Sequence, residues 1–195
     1  MAAVLECKDS SRYPELVGKV LNGIGRLAYL QGDYEEGTSY HEQALALCRT
    51  VKDRDGEALA VNALGSIAYE QGDYERAHAL YKETLAIRRE LGEEFGLANI
   101  LNWLGIVLTD QCRYDEATEH LLESLDLRIK IGDHGGRARS LNSLGIIARQ
   151  TGDFERAQRL FAESLEIQLQ LGDRRAIAAV HSNLGLVALN LKQFE

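Results

Sequence analysis

Proline is almost absent from this chain. Of its 195 residues only Pro14 is a proline, and the sequence that follows contains none. Because proline breaks helices and marks many loops, this distribution excludes a loop-rich fold and favours long helices. With 45% hydrophobic and 27% charged residues, the composition predicts a soluble all-helical protein.

Cysteine is also scarce. Cys7, Cys48 and Cys112 form an odd set without CxxC spacing, which argues against a disulfide framework or a zinc site and predicts free thiols. The sequence has no signal-peptide apolar run after Met1 and no stretch of roughly 20 apolar residues that could span a membrane. We therefore expect a cytoplasmic protein.

Positive charge is in deficit. The chain has 22 Lys and Arg against 30 Asp and Glu, a formal charge of −8, and its basic residues are scattered. Phosphate backbones and anionic lipids would be repelled by this charge. Nucleic acid and membrane partners are therefore disfavoured.

The sequence lacks a recognisable catalytic or metal-binding constellation. Its five histidines show no metal-ligand spacing, and we expect neither enzymatic activity nor a cofactor. His41 stands where other parts of the chain have Tyr81, Leu121 and Phe161, which predicts a packing role. Gly23-Ile24-Gly25 lies inside a predicted helix, and this position argues against a nucleotide-binding loop.

What the chain does contain is a repeat of forty residues. Glycine recurs at this interval without insertion or deletion, at Gly25, Gly65, Gly105, Gly145 and Gly185. A fixed period of this length indicates one supersecondary unit stacked on copies of itself, each burying an apolar face that it could not bury alone. The sequence therefore predicts a solenoid, which favours a binding module over an enzyme.

Each period reads as a helix hairpin, for example Leu59–Gln71 followed by Tyr74–Leu91. Glycine can end the first helix in the left-handed conformation and the next aspartate can cap the second, at Gly32-Asp33, Gly72-Asp73 and Gly152-Asp153. Cys112-Arg113 replaces this pair in the third period. The second helix is predicted to close at Gly92, Gly132 and Gly172.

Three further features recur within the hairpins. A Leu-Gly pair such as Leu64-Gly65 offers a large side chain beside a hole where neighbouring backbones could approach, an aromatic residue such as Tyr74 follows the inner turn, and Ala77 comes three residues later. This pattern resembles the tetratricopeptide repeat family over nearly the whole chain. The resemblance implies an all-α, right-handed α-solenoid of about four and a half units.

The forty-residue period is similar to the long-repeat subgroup of that family, which occurs in bacterial signalling regulators, kinesin light chains and spindle-orientation scaffolds. We accordingly expect an N-terminal extension over residues 1–13 and a repeat array over 14–195. Its repeats would cover approximately 14–53, 54–93, 94–133, 134–173 and a partial 174–195.

Helical periodicity divides the first helix into two faces. Leu21, Ile24, Gly25, Leu27 and Ala28 share an arc that predicts the core. The remaining arc carries Lys19, Asn22, Gly23, Arg26, Tyr29 and Leu30. The resemblance implies that this second stripe, repeated along the chain, lines an inner groove that binds protein or peptide partners.

One groove position is asparagine in four repeats, at Asn22, Asn62, Asn102 and Asn142. A row of carboxamides could grip the backbone of an extended peptide, because each offers a donor and an acceptor. Alternatively, each asparagine could bond a neighbouring helix and set the register between repeats.

Other groove positions vary, and selectivity would lie there. Basic residues at both ends and apolar residues between them suit an acidic peptide with an apolar anchor. Trp103 would protrude into the groove or, alternatively, fill a packing gap. The lysine and asparagine clamp by which some relatives hold a C-terminal carboxylate is not reproduced. The candidate peptide-binding residues are Lys19, Asn22, Arg26, Tyr29, Asn62, Tyr69, Asn99, Asn102, Trp103, Ile106, Arg139, Asn142 and Arg149.

The sequence stops early in a fifth repeat. We expect Leu184, Leu186, Val187 and Leu189 to lack a covering helix, which suggests a fragment of a longer protein or end-to-end self-association. An assembly module that forms a homo-oligomer through this end is thus the alternative to a peptide-binding scaffold.

Overall fold

The computed structural model describes residues 13–192, and they form an all-α structure of helices joined by short turns. The other residues, among them Cys7 and most of the expected 1–13 extension, lie outside this range. In chain order the helices are α1 (Pro14–Leu30), α2 (Tyr34–Val51), α3 (Arg54–Glu70), α4 (Tyr74–Leu91), α5 (Glu94–Asp110), α6 (Tyr114–Ile131), α7 (His134–Gln150), α8 (Phe154–Leu171) and α9 (Arg174–Lys192).

The turn inside each hairpin has the predicted chemistry. Gly32, Gly72 and Gly152 adopt φ values of 80°, 77° and 84°, and the aspartate after each glycine accepts a backbone N–H three residues later, as Asp73 does from Arg76 at 3.1 Å. In the third hairpin Cys112 takes the left-handed conformation at φ 59°. Arg113 supplies no side-chain cap there.

Most turns between hairpins also combine a residue in the left-handed conformation with a capping aspartate. Gly92, Gly132 and Gly172 end α4, α6 and α8 in the left-handed conformation, as predicted, while Lys52 does so after α2. Asp53 caps α3 by accepting the N–H of Gly56 at 3.0 Å. The predicted start of this helix at Leu59 was therefore late, because Asp53 already satisfies its first turn.

The chain divides into two compact units, one ending at Glu93 and one beginning at Glu94. The N-terminal unit contains α1 to α4, with a core cluster of Leu21, Ala44 and Ala60. The C-terminal unit contains α5 to α9. Its clusters include Leu108, Ala117, Leu121, Leu144 and Ile147, and then Ala148, Ala157, Phe161, Val180 and Val187.

The repeated glycine makes room for a side chain rather than for a neighbouring backbone, contrary to expectation. A Cβ on Gly65 would lie 2.7 Å from the ring of Tyr81, and one on Gly145 would lie 2.6 Å from Phe161. The same relation, sixteen residues apart, joins Gly25 to His41 and Gly105 to Leu121. Each hairpin is thus closed by a side chain of its second helix seated on its glycine.

Two burial predictions were wrong for one reason. Leu27 is 61% exposed rather than in the core, whereas Val187 is 1% exposed rather than uncovered. The residue at this repeat position packs on the second helix of the preceding hairpin. Ile67 holds the position in α3, and its Cδ1 lies 3.3 Å from where a Cβ on Gly37 of α2 would stand. Val187 holds it in α9 and clusters with Ala157 of α8. Among the described residues Leu27 has no preceding hairpin.

Candidate functional site

A cavity of about 590 Å³ opens in the N-terminal unit between α1 and α3. Its walls include five of the predicted peptide-binding residues. They also include every residue that helical periodicity assigned to the non-core arc of α1. The full lining is Lys19, Asn22, Gly23, Arg26, Tyr29 and Leu30 from α1, His41 from α2, and Leu59, Asn62, Ala63 and Ser66 from α3.

The cavity combines positive charge with apolar surface. Lys19 and Arg26 are exposed and stand two helical turns apart, a rise of roughly 10 Å. Leu30 and Leu59 are 66% and 47% exposed. A carboxylate with an apolar neighbour could meet both kinds of surface at once.

Asn22 joins three helices beneath this surface. Its Nδ2 donates to the backbone oxygen of Gly56 at 3.3 Å, and its Oδ1 lies 3.0 Å from Nδ1 of His41. Because the carbonyl of Gly56 requires a donor, the amide oxygen faces the imidazole, which must carry its proton on Nδ1. Both ends of this carboxamide are therefore engaged within the fold.

His41 is the functional candidate that sequence reasoning missed. The side chain is 2% exposed, and its Nε2 has no hydrogen-bond partner among the described residues. Burial lowers the pKa of His41 below its ordinary value, so the ring is neutral near pH 7 and Nε2 is a bare acceptor. The available signal was a polar ring at a position that is otherwise aromatic or aliphatic.

The equivalent ring in the next hairpin is satisfied. The Tyr81 hydroxyl donates to Ser66 Oγ at 3.2 Å, and Ser66 Oγ donates to the backbone oxygen of Asn62 at 3.1 Å. Burial raises the pKa of Tyr81 to about 12. In the first hairpin Arg26 stands at the position of Ser66, so His41 has no matching hydroxyl.

The predicted tyrosines lie at the ends of their helices. The Tyr29 hydroxyl donates to Glu70 at 3.4 Å, and burial together with this carboxylate raises its pKa. The Tyr29 and Tyr34 ring centroids are 5.9 Å apart, and those of Tyr69 and Tyr74 are 5.6 Å apart. Each pair joins the first helix of a hairpin to the start of the second.

Asparagines of the C-terminal unit are tied to neighbouring helices. Asn102 accepts a hydrogen bond from Ser140 at 3.2 Å, and Asn142 accepts one from Asn183 at 3.0 Å. Asn99 accepts one from Arg128 at 2.9 Å. These contacts agree with a role in setting register, whereas the ladder members Asn22 and Asn62 line the cavity of the N-terminal unit.

The remaining predicted residues belong to the C-terminal unit. Trp103 and Ile106 are partly buried and Arg139 is exposed. Arg149 is partly buried, and its Nε has no hydrogen-bond partner in the part of the chain that the structure describes. An apolar pair and two cations are therefore present in this unit as well.

Arg128 is a buried charge that the sequence interpretation overlooked. It is 1% exposed and bonds Asp133 at 2.5 Å, Ser124 at 3.2 Å and Asn99. Burial lowers its pKa, and nearby Arg139 adds to this effect while Asp133 opposes it. A Cβ on Gly136 would lie 1.6 Å from the guanidinium, so this glycine is needed for the contact.

Other chemistry is limited within residues 13–192. No group of three or more His, Cys, Asp or Glu side chains there could hold a metal ion. Cys48 is buried and Cys112 is exposed, both as free thiols. No helix in this range is long and apolar enough to cross a membrane.

Comparison with known families decides the classification. The sequence profile of the tetratricopeptide repeat matches residues 16–90 and 96–170. The chain belongs to the tetratricopeptide repeat family. Repeats of this family mediate protein–protein interaction and scaffolding, and the all-α solenoid fold class is that of its solved relatives.

Three solved tetratricopeptide-like structures share this fold at low sequence identity. BtubC from P. vanneervenii is 22% identical with a TM-score of 0.82, and the match covers 95% of this chain and 78% of that one. Repeats of a putative kinesin light chain from Podosopora anserina are 17% identical, with a TM-score of 0.75 and coverage of 93% and 89%. A search among curated proteins found no significant match.

The third structure is much longer than this tetratricopeptide chain. It is the signal transduction ATPase PH0952 from Pyrococcus horikoshii, which carries a tetratricopeptide repeat sensor. The identity is 13% and the TM-score 0.81, and the match covers 89% of this chain but 27% of that protein.

Proposed function

We propose that this chain is a peptide-binding scaffold module of a larger signalling or regulatory protein. Its partner is an extended segment in which acidic residues surround an apolar anchor. The observation that carries the proposal is the cavity between α1 and α3, whose lining combines the cations Lys19 and Arg26 with apolar side chains such as Leu59. It is a concave surface on a non-catalytic repeat fold.

Charge supports the acidic character of the partner. The whole chain carries −8, so an acidic segment would be repelled from most of the surface and attracted to a local pair of cations. Among the described residues neither Lys19 nor Arg26 forms an ion pair with Asp or Glu, and both are exposed. The two cations are thus available to carboxylates of a partner.

The apolar component supports an anchor residue. Leu30, Leu59 and Ala63 line the cavity, and a Leu or Phe side chain of the partner would remove this apolar surface from water. Such burial contributes about 25 cal/mol per Å² of apolar surface. Carboxylates on either side of that anchor would then reach the cations.

The experiment is a peptide array in which Asp or Glu alternates with Leu or Phe, followed by calorimetry on the strongest binder. The double variant Lys19→Glu/Arg26→Glu should bind at least about tenfold more weakly, a loss of about 1.4 kcal/mol. Arg76→Glu/Lys82→Glu is the matched control, since it makes the same change of net charge on α4, away from the cavity.

The control variant should bind within about twofold of the parent chain, because screened charges outside the contact contribute little. If both double variants weaken peptide binding equally, the net charge of the chain rather than the cavity accounts for the effect. An array without any binder would refute the peptide-binding proposal.

Self-assembly is the second candidate, favoured by Leu186 and Leu189, which are 42% and 62% exposed on α9. Sedimentation across a concentration series would test it. A dimer that Leu186→Glu abolishes and Trp103→Ala preserves would support assembly, and a monomer at every concentration would exclude it.

A further inference from the structure

We propose that His41 takes up a proton when an acidic peptide occupies the cavity, so that this tetratricopeptide module binds acidic partners more tightly as the pH falls. The inference rests on the proposed function and adds a regulatory property to the same site. It depends on one side chain in the cavity wall.

The hydrogen-bond geometry determines which nitrogen would take the proton. Asn22 donates to Gly56 and presents its oxygen to His41 Nδ1, so Nδ1–H is already the donor of that bond. Nε2 is left with its lone pair and without a partner among the described residues. Protonation therefore forms a new Nε2–H bond and breaks none of the existing contacts.

The surroundings keep the free site unprotonated. Burial lowers the pKa of His41. From α1 the ionisable side chains of the cavity wall are Lys19, Arg26 and Tyr29, and α3 contributes only uncharged side chains to it. A positive charge on this buried ring is unfavourable because the ring is removed from water.

A bound carboxylate reverses this balance. Its negative charge beside the cavity wall favours the positive form of the His41 ring over the neutral form. Linkage makes the effect reciprocal: the factor by which the peptide strengthens proton binding equals the factor by which the proton strengthens peptide binding. The proton comes from the solvent.

The chain itself offers the matched substitution. Phe161 occupies the equivalent position three hairpins later and packs on Gly145 as His41 packs on Gly25. His41→Phe therefore has a precedent in this fold. It removes the titratable nitrogen while it keeps an aromatic ring on the glycine.

The test is calorimetry with the strongest acidic peptide of the array, in phosphate and in Tris, whose ionisation heats differ. The parent chain should take up protons on binding, and its Kd should fall by up to about tenfold from pH 7.5 to 5.5, which is the change expected if binding raises the pKa of His41 by about one unit. His41→Phe should bind with a nearly constant Kd and no uptake. The same peptide with Gln and Asn in place of its acidic residues should cause no proton uptake.

Three results separate the hypotheses. Binding without proton uptake, or with uptake that persists in His41→Phe, would overturn the inference and leave the peptide-binding proposal intact. Absence of binding at every pH would remove both. If His41→Phe fails to fold, nitrogen NMR of the parent chain decides: Nε2 of His41 must move to its protonated shift on peptide addition, and an unchanged shift would overturn the inference.

Discussion

Leu121 occupies the place where a side chain on Gly105 would begin. A Cβ on Gly105 would lie 2.4 Å from the Leu121 Cγ, far inside van der Waals contact. Because Cγ is the branch point of the leucine rather than a flexible end, the contact cannot be relieved by a small rotation. The glycine is therefore required by packing, although it lies inside a helix, where glycine is otherwise unfavourable.

Gly105→Ala should lower the free energy of unfolding by about 1–3 kcal/mol through overpacking. Gly185→Ala is the control, because Gly185 holds the same repeat position but has nothing within 4 Å. That variant should be neutral or more stable by up to about 1 kcal/mol. Urea denaturation of both would measure the difference, and equal effects would contradict the packing account.

Two residues other than glycine adopt the left-handed backbone conformation, and replacing either with glycine should stabilise the protein. Lys52 and Cys112 adopt φ values of 62° and 59°, where an L-residue with a Cβ costs roughly 1–2 kcal/mol. Lys52→Gly and Cys112→Gly should each raise the midpoint of thermal unfolding. Gly72→Ala, at φ 77°, should lower it. A decrease with both glycine substitutions would show that the original side chains stabilise these turns.

Arg128→Gln should destabilise the C-terminal unit by about 3 kcal/mol, because it leaves Asp133 without its buried partner. Gln168 stands at the equivalent position and is buried, so glutamine fits the space. Lys130→Gln, which breaks an exposed pair with Glu94, should cost less than about 1 kcal/mol. Chemical denaturation compares the two, and equal losses would contradict a special role for Arg128.

Acid should weaken the ligand-free protein through His41. Burial lowers the pKa of this histidine in the folded state, whereas the unfolded chain titrates near its ordinary value of about 6.5. Below that value the unfolded state binds more protons, so stability is lost as the pH falls. Denaturation at pH 7.5 and 5.5 should show a smaller loss for His41→Phe than for the parent chain. A loss of equal size would contradict this assignment.

Local chemistry made the hairpins predictable. A glycine that can adopt positive φ and an aspartate that can accept an N–H specify a turn within four residues, so Gly72-Asp73 located the start of α4 correctly. Periodicity likewise placed six residues of α1 on one face, and all six line the cavity. These predictions required no knowledge of neighbouring hairpins.

Contacts between helices were harder to predict from the sequence. Leu27 and Val187 share a repeat position, and only the presence of a preceding hairpin distinguishes their burial. The bonds of Asn22 to His41 and Gly56 depend on helix register to within an ångström. Arg128 was missed because a buried arginine is rare without its partners, and those partners come from α5, α6 and the following turn.

The contact between each repeat glycine and the side chain sixteen residues later affects how the sequence can change over evolutionary time. His41, Tyr81, Leu121 and Phe161 each pack on the repeat glycine of their own hairpin, so equivalent helix pairs accommodate an imidazole, a phenol, an aliphatic chain and a phenyl ring. A single codon per repeat can then alter what lies under the surface while the helices stay in place.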